Sequence, residues 1–285
     1  MTPDELERRR HVVGASEAAL LFGLPSFGGK TVSDLWWEKK YGCLPGKGNE
    51  STSLGLKLEP VVLEAAEERL GCRIVDRQKW CVKGANAATL DGRCEGDGAI
   101  VEAKTSGIIG PHQLSSWGED GSDEILDVYM VQIQSQLLVT GAEMAYLAAL
   151  IGGRGFAMFE IQPHAGLMAA IEQKATAFLA TLADDQPPAE PPQMETLKRI
   201  RRQPEKVLPR TDAIEELYQR FEEAKATAKA SEQEKEHLQR QLLAQLGDAE
   251  AAELPGGMLT YYQQSRKESF VAASTFRVLR FKKGA

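Results

Sequence analysis

Apolar residues along this 285-residue chain recur with different periods in different stretches, and each period predicts an element. Between residues 72 and 105, short apolar runs broken by turn residues predict strands at 72–76, 79–83, 86–90 and 98–105. AYLAALI and FAMFEI predict two more strands. Helical spacing flanks this group. Thr2-Pro3-Asp4-Glu5 has the form of a capping box, and Ser16 reads as the N-cap of a short helix, 17–22, ended by Gly23. Thr31 or Ser33 can cap a helix through LWWEKKY that stops at Gly42. Residues 54–70 carry Leu54, Leu58, Val61 and Ala65 at helical spacing up to Gly71, and Pro60 either starts or kinks that helix. Residues 126–140, with Met130, Ile133 and Leu137 on one side, and 165–182 predict two further helices. This order of elements implies a mixed sheet with helices on its faces.

DDQPPAEPPQ interrupts the pattern and reads as a linker. The organisation expected is a core over 1–185, a Pro-rich and basic linker over 186–210, and an extension over 211–285. In that extension residues 211–246 are helix-forming almost throughout, with Asp212 and Glu215 at capping-box spacing. Leu217, Phe221, Ala224 and Ala228 form a thin apolar stripe, and Leu238, Leu242 and Leu246 another. This suits a long helix or helical hairpin packed on a partner or on the core. GMLTYYQQSRKESFVAASTFRVLRFKK predicts a terminal hairpin with a basic end.

One strand is chemically unusual. In AIVEAKT the side chains of Glu102 and Lys104 share a face, with Ala103 on the other. A carboxylate and an ammonium on a buried strand are costly unless they pair or serve a site. Asp91 lies at a strand end eleven residues before Glu102 and could meet it where neighbouring strands approach. Two hard oxygen ligands on a rigid sheet describe a Mg²⁺ or Mn²⁺ site, with the Ala103 carbonyl as a further ligand. Lys104 could orient or deprotonate a water there. An ordinary Glu–Lys pair is the alternative.

Composition narrows the choices. Hydrophobic content of 42% and charged content of 26% are those of a globular protein, and no apolar run of about 18 residues could span a membrane. MTPDELERRR lacks the apolar core of a signal peptide, and Cys43, Cys72, Cys81 and Cys94 show no CxxC spacing, so a cytoplasmic protein with reduced thiols is expected. Residues 211–253 hold eleven acidic against five basic residues, which is most of the net charge of −7. The rest is nearly neutral and contains Arg8-Arg9-Arg10 and Lys198-Arg199-Ile200-Arg201-Arg202, so a local positive field for phosphate remains open. Trp36, Trp37 and Trp117 are candidates for base stacking or for the core, and the four histidines show no metal spacing.

Four stretches in order carry a resemblance: GASEAALLFGLPSFGGKTVSDLWWEKKYG, GLKLEP, LDGRCEGDGAIVEAKTS and YMVQIQSQLLVTG. Together they resemble the YqaJ-like recombinases and phage lambda exonuclease, of the PD-(D/E)xK nuclease superfamily. Leu90 stands where a proline often precedes the Asp. The resemblance implies an α/β, restriction-endonuclease-like core. It implies an acidic cluster of Asp91, Glu102 and Glu59 holding one or two Mg²⁺, with Lys104 and Gln132 at the attacking water. Gln134, the second Gln of the QxQ pattern, is a substrate-binding candidate. Ser16, with Arg9 or Arg10, would hold a terminal 5′-phosphate. The activity implied is a 5′-to-3′ exonuclease that digests one strand of linear duplex DNA, leaving 3′ overhangs for a single-strand annealing or recombinase protein. A trimeric or tetrameric ring around DNA is also implied. The alternatives are an endonuclease on the same core and a non-catalytic module that binds DNA ends.

Overall fold

The computed structural model describes residues 3–25, 28–46, 48–107 and 117–262. The chain divides into two units, residues 1–202 and 203–285.

The first unit opens with α1 (Pro3–Arg8), β1 (Val13–Gly14), α2 (Ala15–Ala18), α3 (Val32–Tyr41) and α4 (Glu50–Leu70). Strands β2 (Ile74–Val75), β3 (Lys79–Lys83), β4 (Asn86–Leu90), β5 (Gly92–Cys94) and β6 (Ile100–Ser106) follow. Then come α5 (Asp127–Thr140), β7 (Ala145–Ile151), β8 (Gly155–Ile161), α6 (Ala165–Ala183) and α7 (Met194–Arg199). Five strands form one sheet in the order β2-β5-β6-β7-β8, and three form another in the order β1-β4-β3. The larger sheet is mixed: β6 runs parallel to β7 and antiparallel to β5. This is a restriction-endonuclease-like α/β architecture, a mixed sheet flanked by helices.

Strand alternation decides what each face of β6 meets. Ile100 joins Leu147, Ile133 and Leu137 in the core beneath α5. Val101 joins Ala148, Val62, Leu63 and Ala66 in the core beneath α4. Glu102 therefore faces α5. That helix ends where Gly141 adopts φ 70°, a left-handed C-cap that glycine takes without strain.

Several expectations need correcting. Gly14, not Ser16, is the N-cap of α2, because the Glu17 carboxylate reaches back to the Gly14 N–H at 2.9 Å. Helix α4 begins at Glu50, capped by Asn49, and runs through Pro60. Pro60 is exposed, where water can take the carbonyl it leaves unpaired. The buried face of α4 is Val62, Leu63 and Ala66, while Leu54 and Val61 are exposed. Of the two candidate caps of α3, Thr31 serves: its hydroxyl accepts from Asp34 N–H at 3.1 Å. Trp36 and Trp117 are core residues, at 1% and 5% exposure. The expectation of reduced thiols fails at one pair, since Cys72 and Cys94 form a disulfide joining the chain just after α4 to β5. Cys43 and Cys81 are free thiols. Among the described residues no helix is long and apolar enough to cross a membrane.

The Pro-rich stretch folds back on α3. Ser33 Oγ donates to the Glu190 carbonyl at 2.7 Å, Gln193 N–H donates to Asp34 at 2.7 Å, and Ile200 bridges to Cys43. In the second unit α8 (Asp212–Leu246) is one continuous helix, capped by Thr211. A hairpin of β9 (Ala251–Leu254) and β10 (Gly257–Thr260) follows. It lies upstream of most of the segment expected to form one, and the remainder of that segment falls outside the described residues.

Gly92, beside Asp91, sits where a Cβ would collide with Ile74 Cγ2 on the neighbouring strand. Gly92→Ala should therefore destabilise the fold by about 1–3 kcal/mol through overpacking. A urea midpoint equal to the parent's would show that β2 yields freely.

Candidate active site

Asp91 is the single residue between β4 and β5, so it marks the point where the chain passes from the small sheet to the large one. Its Oδ2 accepts from the Ala103 N–H at 2.9 Å, which ties the strand junction to β6. Glu102, 3% exposed, sits one residue earlier on β6. Its Oε1 accepts from Lys104 Nζ and from Gln132 Nε2 at 2.5 Å, and its Oε2 accepts from Gln136 Nε2 at 2.6 Å. The shared strand face thus becomes a direct Lys104–Glu102 ion pair, closed from above by one face of α5.

Charge is unbalanced here. Burial pushes the Asp91 carboxyl up, the Glu102 charge adds to the effect, and Glu59 adds least. Lys104 and the Ala103 N–H oppose them, and the outcome is about 8. Burial alone would pull the Lys104 ammonium down, but Glu102 and Asp91 over-compensate and hold it above its ordinary value. Its Nζ lies 5.5 Å from the Tyr129 ring centre, within cation–π range.

Glu59 is near enough to act on Asp91, but its carboxylate accepts from Gln78 Nε2 at 3.0 Å. Among the described residues no three Asp, Glu, His or Cys side chains are gathered closely enough to hold a metal. Of the three carboxylates, Glu102 acts on Asp91 more strongly than Glu59 does, and Glu59 is hydrogen-bonded to Gln78. The donors still suit a hard cation. All are oxygens, and the raised Asp91 carboxyl marks a place short of positive charge. Gly55, one turn before Glu59, lies against β6, where a Cβ would approach Thr105 Oγ1 at 3.4 Å.

Gln134 faces away. It donates to the Gln162 carbonyl at 2.7 Å and accepts from His164 N–H at 2.8 Å. Two residues along a helix turn the side chain roughly 200°, so Gln132 and Gln134 cannot serve one site. Its substrate-binding role is corrected on that ground. The four-residue spacing in the sequence puts Gln136 on the face of Gln132, but gives no sign that its amide reaches Glu102.

A cavity of about 540 Å³ opens on Lys104, Tyr129 and Gln132 at one side and on Arg9, Ser16 and Lys30 at another. Arg9 and Arg10 differ sharply. Arg10 is spent on structure, donating to the Lys39 and Lys40 carbonyls at 2.9 and 2.7 Å and to Glu7 at 2.7 Å. The Arg9 guanidinium lies 5.6 Å from the Trp80 ring centre and lines the same cavity. Ser16 is exposed, one residue into α2. On the same wall Lys39 Nζ meets Glu17 Oε2 at 2.7 Å, with Lys39 5% exposed. Arg199 and Arg201, from the returning segment, line the outer part of the cavity.

Residues 6–143 match the model of the YqaJ-like viral recombinase domain. That match spans 138 of the chain's 285 residues. Its fold is similar to that of an alkaline exonuclease, LHK-Exo, from Laribacter hongkongensis. The two are 18% identical with a TM-score of 0.50, over 65% of this chain and 94% of that one. The structure of LHK-Exo in complex with dAMP matches with the same values. A phage related exonuclease from Haemophilus somnus 129PT matches at 14% identity and a TM-score of 0.49, over 62% of this chain and 96% of its own. No curated protein matches the sequence significantly. The YqaJ-like domain and this fold support a nuclease of the lambda exonuclease kind.

The Glu17 carboxyl gives a pH prediction. Burial alone would raise it, but Lys39, Lys30 and Arg9 outweigh burial and hold it at about 2, against 4.5 unperturbed. A depressed folded value stabilises above the unfolded value and loses that contribution as pH falls toward the folded one. The stability advantage of the parent over Glu17→Gln, about 3 kcal/mol at neutral pH, should vanish between pH 4.5 and 2. Urea midpoints of both proteins across that range check this, and a pH-independent difference would show that Glu17 does not carry the charge.

Proposed function

We propose that the protein is a divalent-metal-dependent exonuclease that removes nucleotides from the 5′ end of one strand of linear duplex DNA. The observation that carries this reading is a single cavity. It joins Lys104 and Gln132, which contact the buried Glu102, to a wall bearing Arg9, Ser16 and Lys30. The first group suits phosphodiester hydrolysis, and the second suits a terminal phosphate.

Asp91, Glu102, the Ala103 carbonyl and Glu59 would hold one or two Mg²⁺, with Mn²⁺ as the alternative. When bound, the cation supplies an acidified water and neutralises charge on the attacked phosphate. Lys104 orients the attacking water and stabilises negative charge on the scissile phosphate. Gln132 and Gln136 keep the Glu102 carboxylate turned toward the site. Arg9 and Ser16 receive the 5′-phosphate exposed by each cut, which sets the direction of travel. The dAMP complex of LHK-Exo supports release of mononucleotides. The resemblance to lambda exonuclease supports a trimeric or tetrameric ring around the duplex. It also supports delivery of the 3′ overhang to an annealing or recombinase protein, in the cytoplasm. We take residues 1–185 as the exonuclease core, 186–210 as a connecting segment and 211–285 as the extension.

Asp91→Asn and Lys104→Ala should each slow digestion of 5′-phosphorylated linear duplex by about 100-fold or more in Mg²⁺. Gln136→Leu, which leaves Glu102 Oε2 without its donor, should cost about tenfold. A covalently closed circle should stay intact. Undiminished digestion by Asp91→Asn, or cleavage of the circle, would overturn the assignment.

Arg9→Ala should cut the preference for a 5′-phosphate over a 5′-hydroxyl end by about tenfold, the value of one charge-assisted contact. Initial rates on two duplexes that differ only in that end check this. Equal losses on both would remove Arg9 from the phosphate role.

A further inference from the structure

Helix α8 spans 35 residues and buries none of its side chains. One series of positions along it is nonetheless spaced alternately by three and four, and is apolar at all but two of the positions from 214 to 242. Ile214, Leu217, Phe221, Ala224 and Ala228 open the series, and after Ser231 and Lys235 it continues with Leu238 and Leu242. That is a heptad seam, the pattern that makes helices wind around each other. The large members, Ile214, Leu217, Phe221, Leu238 and Leu242, are all exposed. A seam of this kind left in water implies an occupant.

We propose that a second copy of the chain covers this seam, with the two α8 helices antiparallel. The distribution of residues selects both partner and direction. Antiparallel pairing about the middle of the seam sets Leu217 against Leu242 of the other copy and Phe221 against Leu238. Bulky side chains then meet at both ends. The small Ala228 meets Ser231 at the centre, and Lys235 lies over Ala224, where its aliphatic stem covers the methyl while its ammonium reaches water. On the flank, Lys225 comes opposite Glu232, twice by symmetry. Within each helix Lys225 already pairs with Glu222 and Lys235 with Glu232, both at 2.7 Å. The assembled flank therefore runs Glu222, Lys225, Glu232, Lys235, with the sign alternating across the junction. In-register parallel pairing does the opposite: it stacks Lys235 on Lys235 within the seam and sets Arg220 against Lys225 on the flank. The helix fits its own reverse and resists its own parallel copy.

This inference is independent of the nuclease reading, and its test leaves the proposed active site untouched. Sedimentation equilibrium of the full-length protein and three variants decides it, with circular dichroism to confirm retained helix. Phe221→Glu should lower the assembly mass at least about twofold, since it places charge in the seam. Lys225→Glu should weaken the association about tenfold, by turning two attractive pairs into repulsive ones. Lys225→Glu combined with Glu232→Lys should restore it. Within one helix each substitution loses an i,i+3 pair, with Glu222 or Lys235, and gains an i,i+4 pair, with Lys229 or Glu236, so the helix itself changes little and recovery reports pairing between copies. Unchanged mass in Phe221→Glu would overturn the proposal. Tighter association in Lys225→Glu, which parallel pairing requires, would also overturn it, and so would failure of the double variant to recover. Digestion of linear duplex by all three variants should match the parent per chain.

Discussion

A carboxylate buried at 3% exposure dictates the arrangement around it. Glu102 stands on a central strand, where an unpaired charge would cost several kcal/mol. Both of its oxygens are taken, one by Lys104 and Gln132 and the other by Gln136. The donors come from β6 and from α5, so satisfying the charge also fixes how the helix lies on the sheet. Apolar packing of Ile133 and Leu137 against Leu147 holds the layers together but is tolerant of small shifts. Charge-assisted hydrogen bonds from two glutamines one turn apart are not. The same bonds that make the core affordable set the rotation and height of α5 over the site.

A second buried pair does comparable work at the other end of the cavity. Glu17 draws the Gly14 N–H and the Lys39 ammonium to one oxygen, binding the turn before α2 to α3. Arg10 adds bonds to two carbonyls at the end of α3. These contacts engage Arg10 and Lys39, which line the cavity together with Arg9. The two adjacent arginines differ in partners: Arg10 bonds the end of α3, while Arg9 lies near the Trp80 ring.

Period-two alternation was enough to put Glu102 and Lys104 on one face, because that relation is local to a strand. The strand–turn–strand pattern likewise located Asp91 at a junction. What escaped the sequence was set by partners distant along the chain. The inward face of α4 is chosen by β6 and β7 beneath it, and so Val62, Leu63 and Ala66 are buried where the helical pattern alone offered Leu54 and Val61. The cap of α2 belongs to Gly14 because a Glu side chain, not a Ser, satisfies the free N–H. Prolines in DDQPPAEPPQ announce a break in helix, but only Ser33 and Asp34 reveal that the stretch is anchored. Glu59 and Gln134 show the same limit in the candidate site: their placement on helices was legible, and their hydrogen-bond partners were not.

The passage of the chain from β4 to β5 has a mechanical consequence. Residues 86–94 are nearly one uninterrupted extended segment, yet its two halves belong to different sheets. Asp91 is the pivot between them. Its bond from the Ala103 N–H clamps that pivot to β6 beside Glu102, so the two sheets are joined at the acidic pair itself. A residue at the end of a strand of one sheet is thereby held by the backbone of the other, and the packing of the small sheet bears on where the Asp91 carboxylate sits.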